Sequence, residues 1–203
     1  LSATTFECCL VFLGHRFRPT FRCHEAHSTA DSLIRKTGSL MFELVNHGPD
    51  TFVGTGPRYA WGGLYGGQIV AQALRAADLT VDDEYRPHSI RAYFIRPGDP
   101  NEPVRYEVDR IRNGRSFVTR RVVARQAIGA ILNAECSFQR PEPSLVFQTI
   151  AAPDVEPPDS LENTSFTRDF DRRFTTATAS NSVGRDGEGR VMAWMKVPHE
   201  LPT

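Results

Sequence analysis

The feature that most constrains this chain is one alanine-rich helical segment followed by four consecutive strand-like segments. Residues Gln68–Leu79 contain good helix formers. Their apolar side chains recur at helical spacing, at Ile69, Val70, Ala73, Leu74 and Ala77. The many alanines leave room for another backbone to approach on more than one side. The pattern therefore predicts a helix that is largely enclosed by the rest of its domain.

Each of the four segments after this helix has the features of a β-strand. His88–Arg96 ends at a proline-glycine turn cluster. In Val104–Asp109, apolar and charged residues alternate, which is typical of a half-buried strand. The pair Asn113-Gly114 predicts a hairpin leading into Ser116–Gln126, and Ala130–Phe138 alternates in the same way. One helix followed by successive antiparallel strands predicts an α+β fold, with the helix on one face of a sheet.

The remaining composition suggests four regions. Residues 1–40 show no sustained periodicity and are expected to form a poorly ordered N-terminal extension. Residues 41–140 form the predicted domain, and residues 141–168 are rich in proline, as expected for a linker. Residues 169–203 contain two further strand candidates, Phe170–Ala179 and Arg190–Val197. Two strands are too few for an independent domain, so this region is expected to be the beginning of an incomplete second one.

Charge and apolar content exclude several classes of function. Lys plus Arg and Asp plus Glu each number 24, so the net charge is zero, which argues against a nucleic-acid-binding protein. The basic stretches Arg110–Arg115 and Arg120–Arg125 alternate with apolar residues and are interpreted as a solvated sheet face. No apolar run approaches the roughly 20 residues needed to span a membrane.

Cysteine usage favours a reducing compartment. The four cysteines, at positions 8, 9, 23 and 136, form neither a disulfide framework nor paired metal-ligand spacings. The expected location is the cytoplasm, with a peroxisomal or mitochondrial matrix also compatible for a eukaryotic protein. For residues 1–40, metal binding by the cysteines and histidines and an organelle-targeting role are open alternatives to a plain extension.

A set of short motifs, in a fixed order, resembles the N-terminal domain of the type II acyl-CoA thioesterases. The set begins with the Phe42-Glu43-Leu44 lead-in and the Tyr65–Gln68 motif that opens the helix. It continues along the strands with His88-Ser89, Tyr93–Asp99, Arg112–Phe117, Arg120–Val122 and Ser137–Gln139. The resemblance covers about residues 42–140. It implies a double hot-dog protein, in which each half is an antiparallel sheet wrapped around a long helix.

The activity that this resemblance implies is hydrolysis of fatty acyl-CoA to free fatty acid and CoA, without a metal or organic cofactor. In the family, the catalytic aspartate and its partners belong to the second half. Arg190–Pro198 resembles the strand before the second helix, so the general base is expected beyond Thr203 and no residue of this chain inherits that role. The chain is therefore expected to be a fragment whose own activity is doubtful.

Two groups of residues are candidates for substrate contact. The backbone amides of Gly66, Gly67 and Gln68, at the start of the helix, could stabilise the oxyanion of a thioester. The glycines could equally serve only to let the helix enter the sheet. Arg112, Arg115 and Ser116 lie at a hairpin end and could contact CoA phosphates, although turn exposure explains them equally well. His88 and Asp99 are further candidates, with a structural role favoured for both.

A second class of function remains open, namely a non-catalytic hot-dog module that dimerises or binds acyl-CoA without turnover. A hot-dog hydratase is disfavoured, because residues 62–68 contain neither aspartate nor histidine. Since one half would leave apolar surface exposed, self-association through the hot-dog sheet is also expected.

Overall fold

A computed structural model of the chain describes residues 7–12, 43–56, 59–145, 147–149, 151, 153–165, 171–175 and 190–196. They fall into two compact units. The larger unit holds residues 43–145, and the smaller unit holds strand Glu7–Phe12 with the described residues from 147 onward. In chain order the elements are β1 Glu7–Phe12, β2 Leu44–Asn46, β3 Thr51–Gly54, α1 Gly66–Asp78, β4 Arg86–Phe94, β5 Val104–Asn113, β6 Phe117–Gln126, β7 Gly129–Gln139, β8 Asp171–Phe174 and β9 Arg190–Lys196.

The larger unit is a six-stranded antiparallel sheet with α1 packed on one face. The strand order is β2-β3-β5-β6-β7-β4, so β2 and β4 form the two edges. Helix α1 lies against β5, β6, β7 and β4. This arrangement confirms the predicted α+β class and the hot-dog architecture of a sheet wrapped around a helix.

The core lies between the helix and the inner face of the sheet. Ala73, Ala76 and Ala77 have no exposed surface, which confirms the predicted enclosure of the helix. Because alanine is small, the strands approach the helix closely at these positions. The sheet contributes the inward-facing members of each alternating strand, namely Val104, Tyr106, Val108, Val118, Val122, Ala124, Leu132, Ala134, Cys136 and Phe138.

The helix begins two residues before the predicted start at Gln68, because Gly66 and Gly67 form part of its first turn. The predicted strands agree with β4 to β7 within a few residues at each end. The helix ends at Asp78, and Thr80 follows it with its hydroxyl donating to the carbonyl oxygen of Ala77 at 2.8 Å.

Arg120 contradicts the interpretation of its arginine stretch as a solvated face. Its side chain is only 1% exposed and lies on the inner face of β6, between Val118 and Val122. Nε and Nη2 donate to Oγ1 and the carbonyl oxygen of Thr80, at 2.8 and 3.0 Å. Burial and the nearby Arg110 lower the pKa of Arg120, although Asp50 and Asp82 oppose this shift.

The arginines of the opposite face behave as predicted. Arg121 forms an ion pair with Asp109 on β5, at 2.5 Å. Arg125 and Arg105 both form ion pairs with Glu107, at 2.7 and 2.8 Å. These pairs lie on the outer face of the sheet, which we define as the face opposite α1.

The smaller unit contains a three-stranded antiparallel sheet with the order β1-β9-β8. Strand β1 lies within the region expected to be a poorly ordered extension, and the rest of that region up to residue 40 falls outside the described residues. Trp194 Nε1 donates to the carbonyl oxygen of Glu156 at 2.9 Å. A short 3-10 turn, Pro158–Ser160, precedes β8. The four-region division of the chain stays a prediction.

In the part of the chain that the structure describes, no helix is both long and apolar enough to cross a membrane.

Candidate functional site

The N-terminus of α1 has two backbone N–H groups without an acceptor among the described residues. Tyr65 is the N-cap residue, in an extended conformation, and its side chain makes no capping hydrogen bond. The amides of Gln68 and Ile69 donate to the carbonyl oxygen of Tyr65 at 3.1 and 3.2 Å, whereas those of Gly66 and Gly67 have no such bond. With no acidic residue in the first turn, these amides and the positive end of the helix dipole can attract a developing negative charge.

Aromatic rings pack closely against the two glycines at this helix start. A Cβ atom at Gly66 would lie 3.0 Å from Cζ of Phe94, and one at Gly67 would lie 2.9 Å from Cζ of Tyr65. Tyr59 and Trp61 stack with their ring centroids 4.5 Å apart, and the ring of Tyr65 meets that of Tyr59 edge to face. The glycines therefore permit both the close aromatic packing and the approach of a small group to the amides.

The side chain of Gln68 faces the protein interior. It is 4% exposed, and Oε1 accepts a hydrogen bond from the hydroxyl of Tyr59 at 2.8 Å. Nε2 donates to the carbonyl oxygen of Thr55 at 3.2 Å. Both ends of the amide are engaged within the fold. The backbone amide of Gln68 also donates to the carbonyl oxygen of Tyr65, so the structure leaves only Gly66 and Gly67 of the three predicted residues with amides that can contact an oxyanion.

Gln72 and Tyr106 continue this buried polar network, and sequence reasoning missed both. Gln72 Nε2 donates to the same Thr55 carbonyl oxygen at 2.9 Å, and the Tyr106 hydroxyl donates to Gln72 Oε1 at 2.7 Å. Gln72 is 1% exposed and Tyr106 is completely buried. Burial raises the pKa of Tyr106, so the hydroxyl remains a donor. The network fixes the backbone at Thr55, at the beginning of the segment that leads to the helix start.

A cavity of about 270 Å³ lies beside the first turns of α1. Leu64, Gln68 and Ile69 line one side of it, and the loop Pro100–Val104 lines the other. That loop brings Glu102 to the cavity, where one carboxylate oxygen accepts a hydrogen bond from the amide of Ala127 at 3.2 Å. Glu102 is therefore a further residue that the sequence did not single out, after Gln72 and Tyr106.

Arg112, Arg115 and Ser116 lie at the β5–β6 hairpin end and are exposed to solvent. The hairpin is held by Tyr85, whose hydroxyl lies 3.0 and 3.2 Å from the carbonyl oxygens of Gly114 and Arg115. Because these anchors use the backbone, the two guanidinium groups remain in solvent.

The two candidate groups lie at opposite ends of α1. Arg120 links the hairpin to the C-terminal end of the helix, because its Nη1 donates to the carbonyl oxygen of Arg112 at 3.1 Å while its Nη2 reaches Thr80. The helix has 13 residues. At 1.5 Å per residue, its ends are roughly 18 Å apart. A single ligand must therefore be extended to contact both groups.

The remaining sequence candidates lie away from the helix start or have structural partners. His88 packs edge to face against Phe117, with their ring centroids 5.9 Å apart. It lies near the beginning of β4, whereas Phe94, which lies beside Gly66, ends that strand. The six residues between His88 and Phe94 along the strand correspond to about 20 Å, so His88 lies far from the helix start. Asp99 accepts hydrogen bonds from the backbone and side chain of Asn101, both at 2.8 Å, as a turn residue does. Burial raises the pKa of the Cys136 thiol to about 12, which keeps it protonated.

The larger unit matches a family of known domains. The family model described as the acyl-CoA thioesterase N-terminal domain matches residues 55–139. This range runs from Thr55, whose carbonyl oxygen accepts hydrogen bonds from Gln68 and Gln72, to the end of β7. It contains both candidate groups.

Individual relatives agree with this match. Over 98 residues the chain is 46% identical to acyl-coenzyme A thioesterase 8 of Mus musculus, covering 48% of this chain and 31% of the relative. It is 39% identical to acyl-CoA thioesterase 2 of Haemophilus influenzae over the same number of residues, covering 48% of this chain and 34% of the relative. The chain thus spans about a third of the length of the curated relatives that it matches.

A solved structure extends the similarity. The tesB protein of Mycobacterium avium subspecies paratuberculosis has a TM-score of 0.67 with this chain at 34% sequence identity. The match covers 86% of this chain and 63% of that protein.

Proposed function

Because the family model of the acyl-CoA thioesterase N-terminal domain matches residues 55–139, we propose that this chain is part of an enzyme that hydrolyses fatty acyl-CoA to free fatty acid and CoA. The observation that supports this most directly is the uncapped start of α1, where the amides of Gly66 and Gly67 have no acceptor in the described part of the chain. The activity of the whole protein, its substrate and its cytoplasmic location are all parts of this proposal.

The chemistry of thioester hydrolysis matches this helix start. Attack of water on the thioester carbonyl places a negative charge on its oxygen, and backbone amides at a helix N-terminus stabilise such an oxyanion. An activated water also needs a general base, which we expect from the second half of the enzyme beyond Thr203. The oxyanion then collapses and the C–S bond breaks, so that CoA leaves as the thiolate and takes up the proton that the base removed from water, and the fatty acid is released.

Arg112, Arg115 and Ser116 are the proposed contacts for CoA phosphates. Guanidinium groups bind phosphate oxygens through two parallel hydrogen bonds, and both guanidinium groups are exposed at the hairpin end. A CoA molecule bound with its thioester at Gly67 would have to extend along α1, over roughly 18 Å, to reach them.

Gly66 allows one amide donor to be removed while the helix is kept. Gly66 occupies the first helical position, where proline is well tolerated, and the extended backbone of Tyr65 suits a residue that precedes proline. We expect Gly66→Pro to lower the rate of CoA release by about 100-fold relative to Gly66→Ala, the loss typical of one oxyanion donor. Gly66→Ala is the matched control, because it adds the same Cβ contact with Phe94 but retains the N–H.

The assay follows free CoA with a thiol-reactive dye, first with the 203-residue chain and then with a chain that continues past Thr203. We expect turnover only in the longer chain, and the Gly66 variants are compared in whichever form turns over. Equal rates for the proline and alanine variants would remove this amide from the mechanism. Binding of acyl-CoA without turnover in either form would favour the alternative function, a non-catalytic acyl-CoA-binding module.

We also propose that the larger unit associates with a second hot-dog unit through the β4 edge, the end strand of the sheet. Tyr93, Phe94 and Ile95 are between 47% and 60% exposed at this edge, although all three are large and apolar. Contiguous apolar side chains on an open edge strand favour pairing with another chain or domain.

Charged residues at this edge should prevent the association. In light scattering after size-exclusion chromatography, we expect the chain to self-associate and the double variant Phe94→Lys with Ile95→Lys to lose the association that depends on this edge. A matched control is Ile128→Lys, since Ile128 is 63% exposed but lies in the β6–β7 turn. A monodisperse monomer of the unmodified chain would contradict this proposal.

A further inference from the structure

A row of alternating charges crosses four strands on the outer face of the sheet. Arg91 on β4 is in register with Glu135 on β7. Glu135 is in register with Arg121 on β6, and Arg121 with Asp109 on β5. All four residues are exposed. Arg91, Glu135 and Arg121 are flanked along their strands by less exposed residues, whereas Asp109 lies between the buried Val108 and the exposed Arg110. We call these four residues the charge row; its signs run plus, minus, plus, minus.

Pairing within the chain satisfies only half of the charge row. Arg121 and Asp109 form an ion pair at 2.5 Å. The guanidinium of Arg91 instead lies over the ring of Tyr93, 4.9 Å from its centroid. In the described part of the chain, neither Arg91 nor Glu135 has a side chain of opposite charge within ion-pair distance. One cation and one anion are therefore available for an external partner.

The order of signs makes the row complementary to itself. If a second copy is placed face to face, related by a two-fold axis parallel to the strands between β6 and β7, its row runs in the opposite direction. Arg91 then faces Asp109 of the second copy, and Glu135 faces its Arg121. A two-fold axis perpendicular to the strands would place like charges opposite each other, so the pattern admits only one of these two orientations.

The next row on the same face is compatible with this orientation. Tyr93, Asn133, Val123 and Glu107 are in register across the same four strands. Under the same axis, the half-exposed Tyr93 hydroxyl faces the Glu107 carboxylate of the second copy, and Asn133 faces Val123. This row places no two like charges together.

We propose that the outer face of the sheet is an interface between two copies of this chain, with the charge row setting their orientation. This surface is separate from the β4 edge and does not depend on the thioesterase activity. Opposite charges at an interface contribute more to orientation and specificity than to affinity, so the association should be moderate and sensitive to salt.

A charge exchange between copies tests this orientation directly. Glu135→Arg places two arginines opposite each other in its homodimer, and Arg121→Glu places two glutamates opposite each other. We expect each variant alone to dimerise at least about tenfold more weakly than the unmodified chain. An equimolar mixture of the two should recover dimers, because arginine faces glutamate at both positions of the mixed pair. Sedimentation velocity at low and high salt provides the measurement.

The control is Arg115→Glu, which changes an exposed charge at the hairpin end and should leave dimerisation unchanged. Should a charge reversal impair folding, Glu135→Gln and Arg121→Gln weaken the same contacts without introducing repulsion, and each should still reduce dimerisation. The proposal is overturned if the unmodified chain is monomeric, if single reversals leave dimerisation unchanged, or if the mixture associates no better than its components. Repeating the mixture in the background of Phe94→Lys with Ile95→Lys separates this interface from the β4 edge.

Discussion

Replacing Arg120 with methionine should lower the free energy of unfolding by about 3 kcal/mol. Arg120 is 1% exposed and donates to Oγ1 and the carbonyl oxygen of Thr80 and to the carbonyl oxygen of Arg112. Methionine fills a similar volume but removes the donors to the buried oxygens of Thr80, and an unsatisfied buried group typically costs about 1–3 kcal/mol. Chemical denaturation of the two chains provides the comparison.

Arg121 provides a control one residue away. It lies on the opposite face of β6, its side chain is 47% exposed, and its ion pair with Asp109 is in contact with solvent. Arg121→Met should therefore change the free energy of unfolding by no more than about 1 kcal/mol. The loss of unfolding free energy for Arg120→Lys should lie between those for Arg120→Met and Arg121→Met. Lysine retains the charge but lacks the planar guanidinium group that reaches several acceptors at once. Equal losses for Arg120→Met and Arg121→Met would show that the buried network contributes little.

Arg120 also shows where sequence reasoning succeeded and where it failed. The alternation along β6 correctly predicted a strand with one buried face, since Val118, Val122 and Ala124 all face inward. Side chains alternate between the two faces of a strand, and Arg120 lies an even number of residues from Val118, Val122 and Ala124. The sequence therefore already indicated that Arg120 faces inward. The error came from treating charge as sufficient evidence of exposure, whereas the hydroxyl and carbonyl oxygens of Thr80, just after the helix, satisfy the buried guanidinium.

The candidate site was predictable only in part for a similar reason. The helical spacing and the glycines before Gln68 located the helix start, and the structure confirms its position to within two residues. The buried partners of Gln68 and Gln72 are Tyr59, Thr55 and Tyr106, which lie between 9 and 34 residues away along the chain. Such contacts depend on how β5 packs against α1, which local patterns do not determine. A glutamine on the buried face of an apolar helix was the only local signal.

The relative placement of Arg112 and Gly67 was also beyond the sequence. Both lie in the range that the acyl-CoA thioesterase N-terminal domain model matches, yet the order of motifs along a chain does not reveal which of them share an end of the sheet. Antiparallel pairing places the β5–β6 hairpin at the end of the sheet where Arg120 contacts Thr80, beyond the last turn of α1. The requirement for an extended ligand therefore follows from strand direction rather than from any motif.

Gln72→Met should lower the free energy of unfolding by about 2–3 kcal/mol, and Tyr106→Phe by about 1–2 kcal/mol. Methionine has nearly the shape of glutamine, so the loss reports chiefly on hydrogen bonds. Without the Gln72 side chain, the buried Tyr106 hydroxyl loses its acceptor and the Thr55 carbonyl loses one of its two donors. Phenylalanine at 106 removes the hydroxyl that donates to Oε1 of Gln72.

The double variant, Gln72→Met with Tyr106→Phe, distinguishes an interacting pair from two independent packing effects. When both partners of a buried hydrogen bond become apolar, neither is left unsatisfied, so the double loss should be smaller than the sum of the single losses by about 1 kcal/mol. Urea denaturation of the four chains measures this coupling. As a control, the losses for Gln72→Met and Arg121→Met should be additive. Gln72 lies on α1, which packs on the inner face of the sheet, whereas Arg121 lies on the outer face. Additivity for Gln72 and Tyr106 as well would mean that their 2.7 Å contact does not stabilise the fold.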